Sequence, residues 1–181
     1  MSETILSAQT GPGAPAAITR YLTLTIKGER YAIDIMDVTE IVRFRPPTLV
    51  PMTAPHIRGV TNLRGRVMPV IDLCIPFGRG LTEPGLHGAI VVVQHRDRAR
   101  ESRSVGIIVD GINKVMHVSD DDVQPAQQAS RSHGNCRLVR GLANHDGMFV
   151  LLLDAVEILA LNDLPEEDGR GRRSGPHDPA G

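Results

Sequence analysis

The sequence predicts a mainly β fold that contains two similar small barrels with a shared core. Two observations carry this prediction: residues 19–154 read as a series of short, β-branched strands separated by turn residues, and one pair of strands recurs later in the chain. Evenly spaced short strands of this kind are typical of sandwiches and barrels. A repeated barrel closes its own sheet edges and has a face to bury against its copy.

Ten strand segments follow one another along the chain. Each is bounded by Gly, Pro, Asn or Asp, which favour turns over strands. In order, they are TRYLTLTIK, RYAIDI, DVTEIVRF, RGVTNL, RVMPVID, AIVVVQH, SVGIIVD, NKVMHV, CRLVRGLA and MFVLLLD. The sequence Lys27-Gly28-Glu29 predicts the first hairpin turn, and the mixed-charge run at 94–104 predicts a long solvated loop.

Helical signals are few and lie late in the chain. Ser119 precedes three aspartates, which predicts a capped helical turn at 120–122. Asp154 and Glu157 have the spacing of a reciprocal cap, so we expect a short C-terminal helix to begin there.

Both ends of the chain are predicted to be disordered. Residues 1–18 are rich in Gly, Pro, Ala and Ser, and residues 164–181 are charged and rich in Gly and Pro. Segments of this composition cannot bury enough apolar surface to offset the entropy of folding. We therefore expect one folded domain at 19–163.

Composition excludes several classes of function. The net charge is −1 and only 3% of the 181 residues are aromatic, which argues against nucleic-acid binding and against attraction to an anionic membrane. No apolar run approaches the ~18 residues that span a bilayer, and the N-terminus lacks the pattern of a signal peptide. We expect a cytoplasmic protein in which Cys74 and Cys136 are free thiols.

An internal repeat relates residues 58–73 to residues 140–155. The segments RGVTNLRGRVMPVIDL and RGLANHDGMFVLLLDA share Arg, Gly, Asn, Gly and Asp at matched positions, and a weaker similarity relates 32–42 to 106–116. Each strong copy has an x-Gly pair where a two-residue hairpin turn requires positive φ, and an aspartate after its second strand as a helix cap. We infer two similar barrels; chance resemblance between turn-rich hairpins is the alternative.

The copies differ at two positions whose residues the hairpin does not require. Arg64 matches Asp146, and Pro69 matches Leu151. Proline cannot donate to a strand ladder, so we expect Pro69 on a sheet edge or at a bulge. Arg64, at a rigid turn, can bind the carboxylate of Glu40, but an arbitrary exposed pair contributes only about 0–1 kcal/mol. Composition alone therefore favours two solvated charges.

No catalytic or metal-binding signature is found in the sequence. The patterns of phosphate-binding loops, dinucleotide sites, serine elbows and zincins are missing. His133 and Cys136 have a chelating spacing without a second pair of ligands, and the aspartates at 120–122 lack the glycine and distal glutamate of an EF-hand. Cys74 can in principle act as a nucleophile, although a small apolar residue behind a hairpin is the favoured interpretation.

Three stretches resemble the CheW family of chemotaxis coupling proteins. They are YLTLTIKGERYAIDIMDVTEIVRF, APHIRGVTNLRGRVMPVIDL and VGIIVDGINKVMHV, in family order between about Tyr21 and Leu161. The resemblance implies two interleaved five-stranded SH3-like barrels with a few short helices and a C-terminal helix. It also implies a non-enzymatic adaptor, without cofactor or metal, that couples the cytoplasmic tips of methyl-accepting chemoreceptors to the regulatory domain of the histidine kinase CheA in a signalling array.

The resemblance also implies a receptor-binding groove between the barrels. Four positions match the family's residues in this groove: Val38, Glu40, Gly59 and Arg64. Met36 and Ile41 are their neighbours by spacing, and for Ile41 placement in the core is equally expected. Glu40 and Arg64 match a pair that braces this surface, which favours an ion pair between them. Gly59 would permit close approach of a partner helix, because it has no side chain.

Some features depart from the family pattern. Cys74 replaces an arginine common after the Asp-Leu pair, the loop at 94–104 is long, and SRSHGNC at 130–136 is unusual. They leave open whether the partners are motility receptors and their kinase or those of a parallel non-motility pathway. A small nucleic-acid-binding β-barrel protein is the alternative of a different class, and salt-sensitive oligonucleotide binding would identify it; a thiol enzyme is the third.

Overall fold

The computed structural model of the protein describes residues 17–95, 103–126 and 136–162. The predicted C-terminal tail and nearly all of the predicted N-terminal tail lie outside these residues. So do most of the 94–104 loop and the whole of 127–135, which includes His133. The first strand begins at Ile18, one residue before the expected start of the domain.

Within the described residues the chain forms eleven strands, three 3-10 turns and one short α-helix. The strands are β1 Ile18–Ile26, β2 Glu29–Asp34, β3 Val38–Arg43, β4 Ile57–Leu63, β5 Arg66–Ile71, β6 Ala89–Gln94, β7 Ser104–Val109, β8 Gly111–Ser119, β9 Val123–Pro125, β10 Val139–His145 and β11 Met148–Leu153. The 3-10 turns are Ile35–Asp37, Asp120–Asp122 and Cys136–Leu138, and the helix α1 is Ala155–Ala160. No described helix has the length and apolar content needed to cross a membrane.

The strands form two sheets that interleave along the chain. One sheet has the order β8-β1-β2-β11-β10-β9 and the other the order β3-β6-β7-β5-β4. We call the first the terminal barrel, because it uses strands from both terminal parts of the chain, and the second the inserted barrel. The prediction of a mainly β fold with two interleaved SH3-like barrels is confirmed. The short strand β9 gives the terminal barrel a sixth strand where five were expected.

The internal repeat is confirmed as a structural duplication. Every bound of β4 and β5 falls on the matching bound of β10 and β11, and both hairpins have a register shift at the same place, next to Gly59 and Gly141. Strand β5 pairs in parallel with β7 and β11 pairs in parallel with β2. The weaker repeat therefore also corresponds to equivalent strands.

Three hairpins have the same type of two-residue turn. The turn pairs Lys27-Gly28, Arg64-Gly65 and Asp146-Gly147 all have positive φ at both residues, from 48° to 81°. Such values define a type I′ turn, whose twist matches that of the flanking strands. The first hairpin turn is therefore where the sequence predicts it.

The core has three parts, because each barrel is filled and the two also pack together. One cluster uses terminal-barrel residues such as Tyr21 and Leu152, and another uses inserted-barrel residues such as Met68 and Ile90. The largest cluster combines both barrels with α1, including Leu24 and Ile107. It is the shared core that the duplication predicts, and it fixes the barrels against each other.

The two predicted helical segments form, with different caps. The Asp154 side chain accepts hydrogen bonds from the backbone N–H groups of Val156 and Glu157 at 2.9 and 3.1 Å, as expected. The Asp154 N–H donates to the Leu138 carbonyl at 3.0 Å, in place of the return bond expected from Glu157. The 3-10 turn Asp120–Asp122 also forms, but the Ser119 side chain makes no capping bond.

Pro69 does not lie on an edge strand, and the bulge of its hairpin lies next to it, opposite Val70 and Ile71. Strand β5 lies between β7 and β4, but its pairing with β7 begins only at Val70. On the other side Pro69 faces Val60, whose N–H and C=O both bond to Thr48 at 2.8 Å. The Val60–Pro69 pair is thus a non-hydrogen-bonded pair, so the missing proline N–H breaks no bond to β4.

Candidate protein-docking site

The ion pair between Glu40 and Arg64 joins two elements of the inserted barrel. Glu40 lies on the edge strand β3, and Arg64 is the first residue of the β4–β5 turn. The Arg64 Nη2 atom lies 3.1 Å from Glu40 Oε1. Composition alone favoured two solvated charges, but the structure contains the Glu40–Arg64 ion pair that the family resemblance favours.

The turn holds Arg64 in a fixed direction. Its backbone φ is 51°, a left-handed value that the following Gly65 continues. The Asn62 side chain accepts a hydrogen bond from the Gly65 N–H at 2.9 Å and closes the turn. Because the backbone is fixed, the exposed guanidinium projects from a rigid base at the hairpin tip.

Apolar side chains lie exposed on the same barrel. Ile41 is 44% exposed and Val67, on β5 next to the tip, is 69% exposed. Ile41 is therefore a surface residue, which resolves the alternative between surface and core placement. A solvent-accessible cavity of about 480 Å³ opens beside Ile41 and is lined by Ile41, Val42, Arg43, Leu86, His87, Gly88 and Ala89.

The other predicted residues have different surroundings. Val38 is half-buried and packs against the shared core. Met36 lies in the 3-10 turn before β3 and is 58% exposed. Of the six predicted residues, Glu40 and Arg64 are in direct contact. The groove between the barrels stays a prediction.

Gly59 is required by a contact inside the protein. It is buried with φ of 138°, and a β-carbon at this position would overlap the carbonyl oxygen of Thr48. Gly141 is its equivalent, and a β-carbon there would lie 2.8 Å from the carbonyl oxygen of Gln124. In both barrels the glycine makes room for a neighbouring chain segment, a reason that the sequence analysis missed.

A buried ionic network was also missed. Asp72 is fully buried and lies 2.9 Å from Arg58 Nη1. It also accepts bonds from the Cys74 N–H at 3.0 Å and from the Thr82 N–H and hydroxyl at 2.7 and 2.6 Å. The residues after Asp72 form turns, so the prediction that it caps a helix is wrong. The only sequence signal was an aspartate inside an apolar run.

The chemistry of Cys74 disfavours the thiol-enzyme alternative. Its side chain is buried, and burial raises the pKa of the thiol, so the reactive thiolate is disfavoured. Among the described residues, no group of three His, Cys, Asp or Glu side chains is placed to hold a metal ion.

Comparisons with known proteins agree on one family. The family model of the CheW-like domain matches residues 20–162. The Chemotaxis protein CheW of Rhizobium meliloti is 30% identical over 133 residues, 74% of this chain and 82% of that protein. The protein of the same name from Klebsiella aerogenes is 28% identical over 144 residues, 80% of this chain and 83% of that protein.

A solved structure gives the same result at the level of the fold. The crystal structure of scaffolding protein TtCheW from Thermoanaerobacter tengcongensis superposes with a TM-score of 0.66 at 26% identity. The superposition covers 82% of this chain and 90% of that one. The two interleaved barrels and the repeat agree with these matches, and the chain belongs to the CheW family of chemotaxis scaffold proteins.

Proposed function

We propose that this protein is a non-enzymatic cytoplasmic adaptor that couples a methyl-accepting chemoreceptor to the histidine kinase CheA. Membership of the CheW family supports the adaptor role. The helical hairpin at the receptor tip docks at the surface around Glu40 and Arg64, with Val38, Met36 and Ile41 beside it. A separate barrel face binds the regulatory domain of the kinase, and catalysis belongs to the kinase.

The Glu40–Arg64 ion pair is the observation that carries this proposal. The Arg64 side chain is 81% exposed, and exposed ion pairs contribute only about 0–1 kcal/mol to folding. The pair therefore has little value for stability, while its fixed position at a rigid turn suits recognition. Exposed Ile41 and Val67 add the apolar contact area that a protein partner buries.

Gly59 contributes to this surface indirectly. Its contact with Thr48 fixes the segment that follows, in which Leu49 is 81% exposed and Met52 fully exposed. A substitution at Gly59 displaces this apolar segment, so it affects binding without a direct contact to the receptor.

The adaptor transmits a signal through differences in affinity between receptor states. Contacts of this transient kind bury roughly 1,200 Å² or less, so each is weak alone and an array gains from multivalency. Two receptor states must engage the adaptor differently, because equal affinity for both shifts no equilibrium.

Two substitutions test the docking surface. We expect Arg64→Ala and Glu40→Arg to keep the circular dichroism spectrum of a β protein while they weaken receptor pull-down and receptor-dependent kinase activation. Arg20→Ala is the matched control, because Arg20 is an exposed arginine of the terminal barrel. Folded variants that couple as the wild type does would show that the surface is wrongly assigned. Co-purification of the tagged protein from its own cells identifies the receptor and the kinase.

A further inference from the structure

The duplication gives the terminal barrel a face equivalent to the proposed docking surface. The repeat places Lys114 of β8 where Glu40 of β3 lies, and Asp146 where Arg64 lies. Strands β3 and β8 are both edge strands, each paired with one neighbour, β6 and β1 respectively. Arg64 and Asp146 are both the first residue of a type I′ turn, with φ of 51° and 54°.

Both faces have an ion pair between strand and turn, but the charges are exchanged. In the inserted barrel the strand supplies the acid and the turn the base, at 3.1 Å. In the terminal barrel Lys114 Nζ lies 2.6 Å from Asp146 Oδ2, so the strand supplies the base and the turn the acid. The hydrogen bond from Lys114 lowers the pKa of the Asp146 carboxyl below its ordinary value.

Equivalent apolar side chains are also exposed on both barrels. Ile41 and Val67 are 44% and 69% exposed, and their equivalents Val115 and Phe149 are 40% and 60% exposed. An apolar stripe on a partner helix therefore finds comparable contact area on either barrel. Apolar contacts alone discriminate weakly between such faces, whereas a reversed charge arrangement rejects a wrong partner strongly.

We propose that Lys114 and Asp146 are specificity determinants that exclude the receptor tip from the terminal barrel. This inference rests on the proposed function, because it assumes that the tip binds at Glu40 and Arg64. A tip whose charges complement that pair meets like charges at both positions of the terminal barrel. Each adaptor then binds one receptor tip, at a defined side of the molecule.

A charge exchange in the terminal barrel tests the proposal. The double variant Lys114→Glu with Asp146→Arg keeps an ion pair but gives it the order found in the inserted barrel. We expect titration calorimetry with a receptor-tip fragment to show two sites where the wild type has one. The gain in affinity at the new site should be about tenfold or more, since two repulsive contacts become attractive.

A rescue experiment separates this proposal from the proposed function. Glu40→Arg alone should lose binding, and adding the double variant should restore it through the terminal barrel. The neutral pair Lys114→Gln with Asp146→Asn should give an intermediate affinity there. A folded double variant that still binds one fragment and does not rescue Glu40→Arg overturns the specificity proposal alone. A wild-type chain that does not bind the fragment, or a Glu40→Arg chain that binds normally, overturns the proposed function, and the inference with it.

Discussion

Asp72 and Asp154 hold the same place in the two halves of the repeat but have different tasks. Asp72 is fully buried and lies 2.9 Å from Arg58, with three further hydrogen bonds from Cys74 and Thr82. Asp154 is partly exposed and caps the helix α1. The same position of the repeat thus holds the central acceptor of a buried hydrogen-bond network in one barrel and a helix cap in the other.

The difference predicts unequal costs for the same substitution. Asp72→Ala leaves the buried donors of Cys74 and Thr82 without their acceptor, while Arg58 loses its ion pair but keeps its bond to the Thr82 carbonyl, and we expect a loss of about 3 kcal/mol of unfolding free energy. Asp154→Ala removes one cap and should cost about 1 kcal/mol. Urea denaturation at neutral pH measures both. Equal losses in the two variants would contradict the structural role given to Asp72.

The sequence predicts the hairpins and the duplication because their causes are local. An x-Gly pair between alternating apolar residues is sufficient to predict a type I′ turn such as Arg64-Gly65. The network of Asp72 depends on Thr82, which a non-repetitive connection brings back to the hairpin, so no local pattern reports it. The position of Pro69 depends in the same way on Thr48, which takes both bonds of Val60.

The candidate site is predictable only in part for a related reason. The spacing of Glu40 and Arg64 permits an ion pair, but only the sheet order places β3 near the tip of the β4–β5 hairpin. The repeat shows that a glycine recurs at the position of Gly59. The reason for it is the close approach of the Thr48 backbone, which the sequence does not show. Contacts between distant segments decide both.

Gly59→Ala should destabilise the protein more than a glycine substitution in open space. The new β-carbon overlaps the Thr48 carbonyl and the backbone φ is 138°, so we expect a cost of about 1–3 kcal/mol. Gly85→Ala is the control, because nothing lies within 4 Å of its β-carbon, and it should change stability by less than about 0.5 kcal/mol. Hydrogen exchange at the Val60 amide, which bonds to Thr48, should accelerate in Gly59→Ala only. Unchanged exchange there would refute the contact as the cause.

Burial of Tyr31 predicts a loss of stability at alkaline pH. Burial, followed by the hydrogen bond to Glu29, raises the pKa of the Tyr31 phenol above its ordinary value of 10.0. Above that value the unfolded chain releases the proton while the folded chain keeps it, so stability is full below about pH 10 and falls as the pH rises further.

Tyr31→Phe isolates this contribution. The variant loses the hydrogen bond to Glu29 and should be less stable at neutral pH, yet its stability should fall less steeply as the pH rises above about 10. Urea denaturation across that range gives the slope. A residual slope is expected, because burial also raises the pKa values of Tyr21 and Cys74. Identical slopes in variant and wild type would exclude Tyr31 as a source.

Arg79 ties the two barrels together at their first hairpin. It lies in the connection from β5 to β6 of the inserted barrel, and its Nη1 atom lies 2.8 Å from the Glu29 carboxylate of the terminal barrel. Its Nη2 atom donates to the Lys27 carbonyl at 3.1 Å, and the Lys27 ammonium donates to the Arg79 carbonyl at 2.6 Å. These reciprocal bonds join the barrels outside the shared core.

Replacing Arg79 should therefore loosen the contact between the barrels. We expect Arg79→Ala to lower the unfolding free energy by about 1 kcal/mol, a modest value because Glu29 is 40% exposed and solvent screens the pair. Arg79→Lys should restore little of it, since an ammonium cannot reach the carboxylate and the carbonyl in the same forked geometry. Arg66→Ala, an exposed arginine at the other end of the inserted barrel's hairpin, is the control for loss of charge. The rate of hydrogen exchange in the β1–β2 hairpin should rise in both Arg79 variants and not in the control. The same exchange rate in all three variants would mean that the bonds to Arg79 do not hold the barrels together.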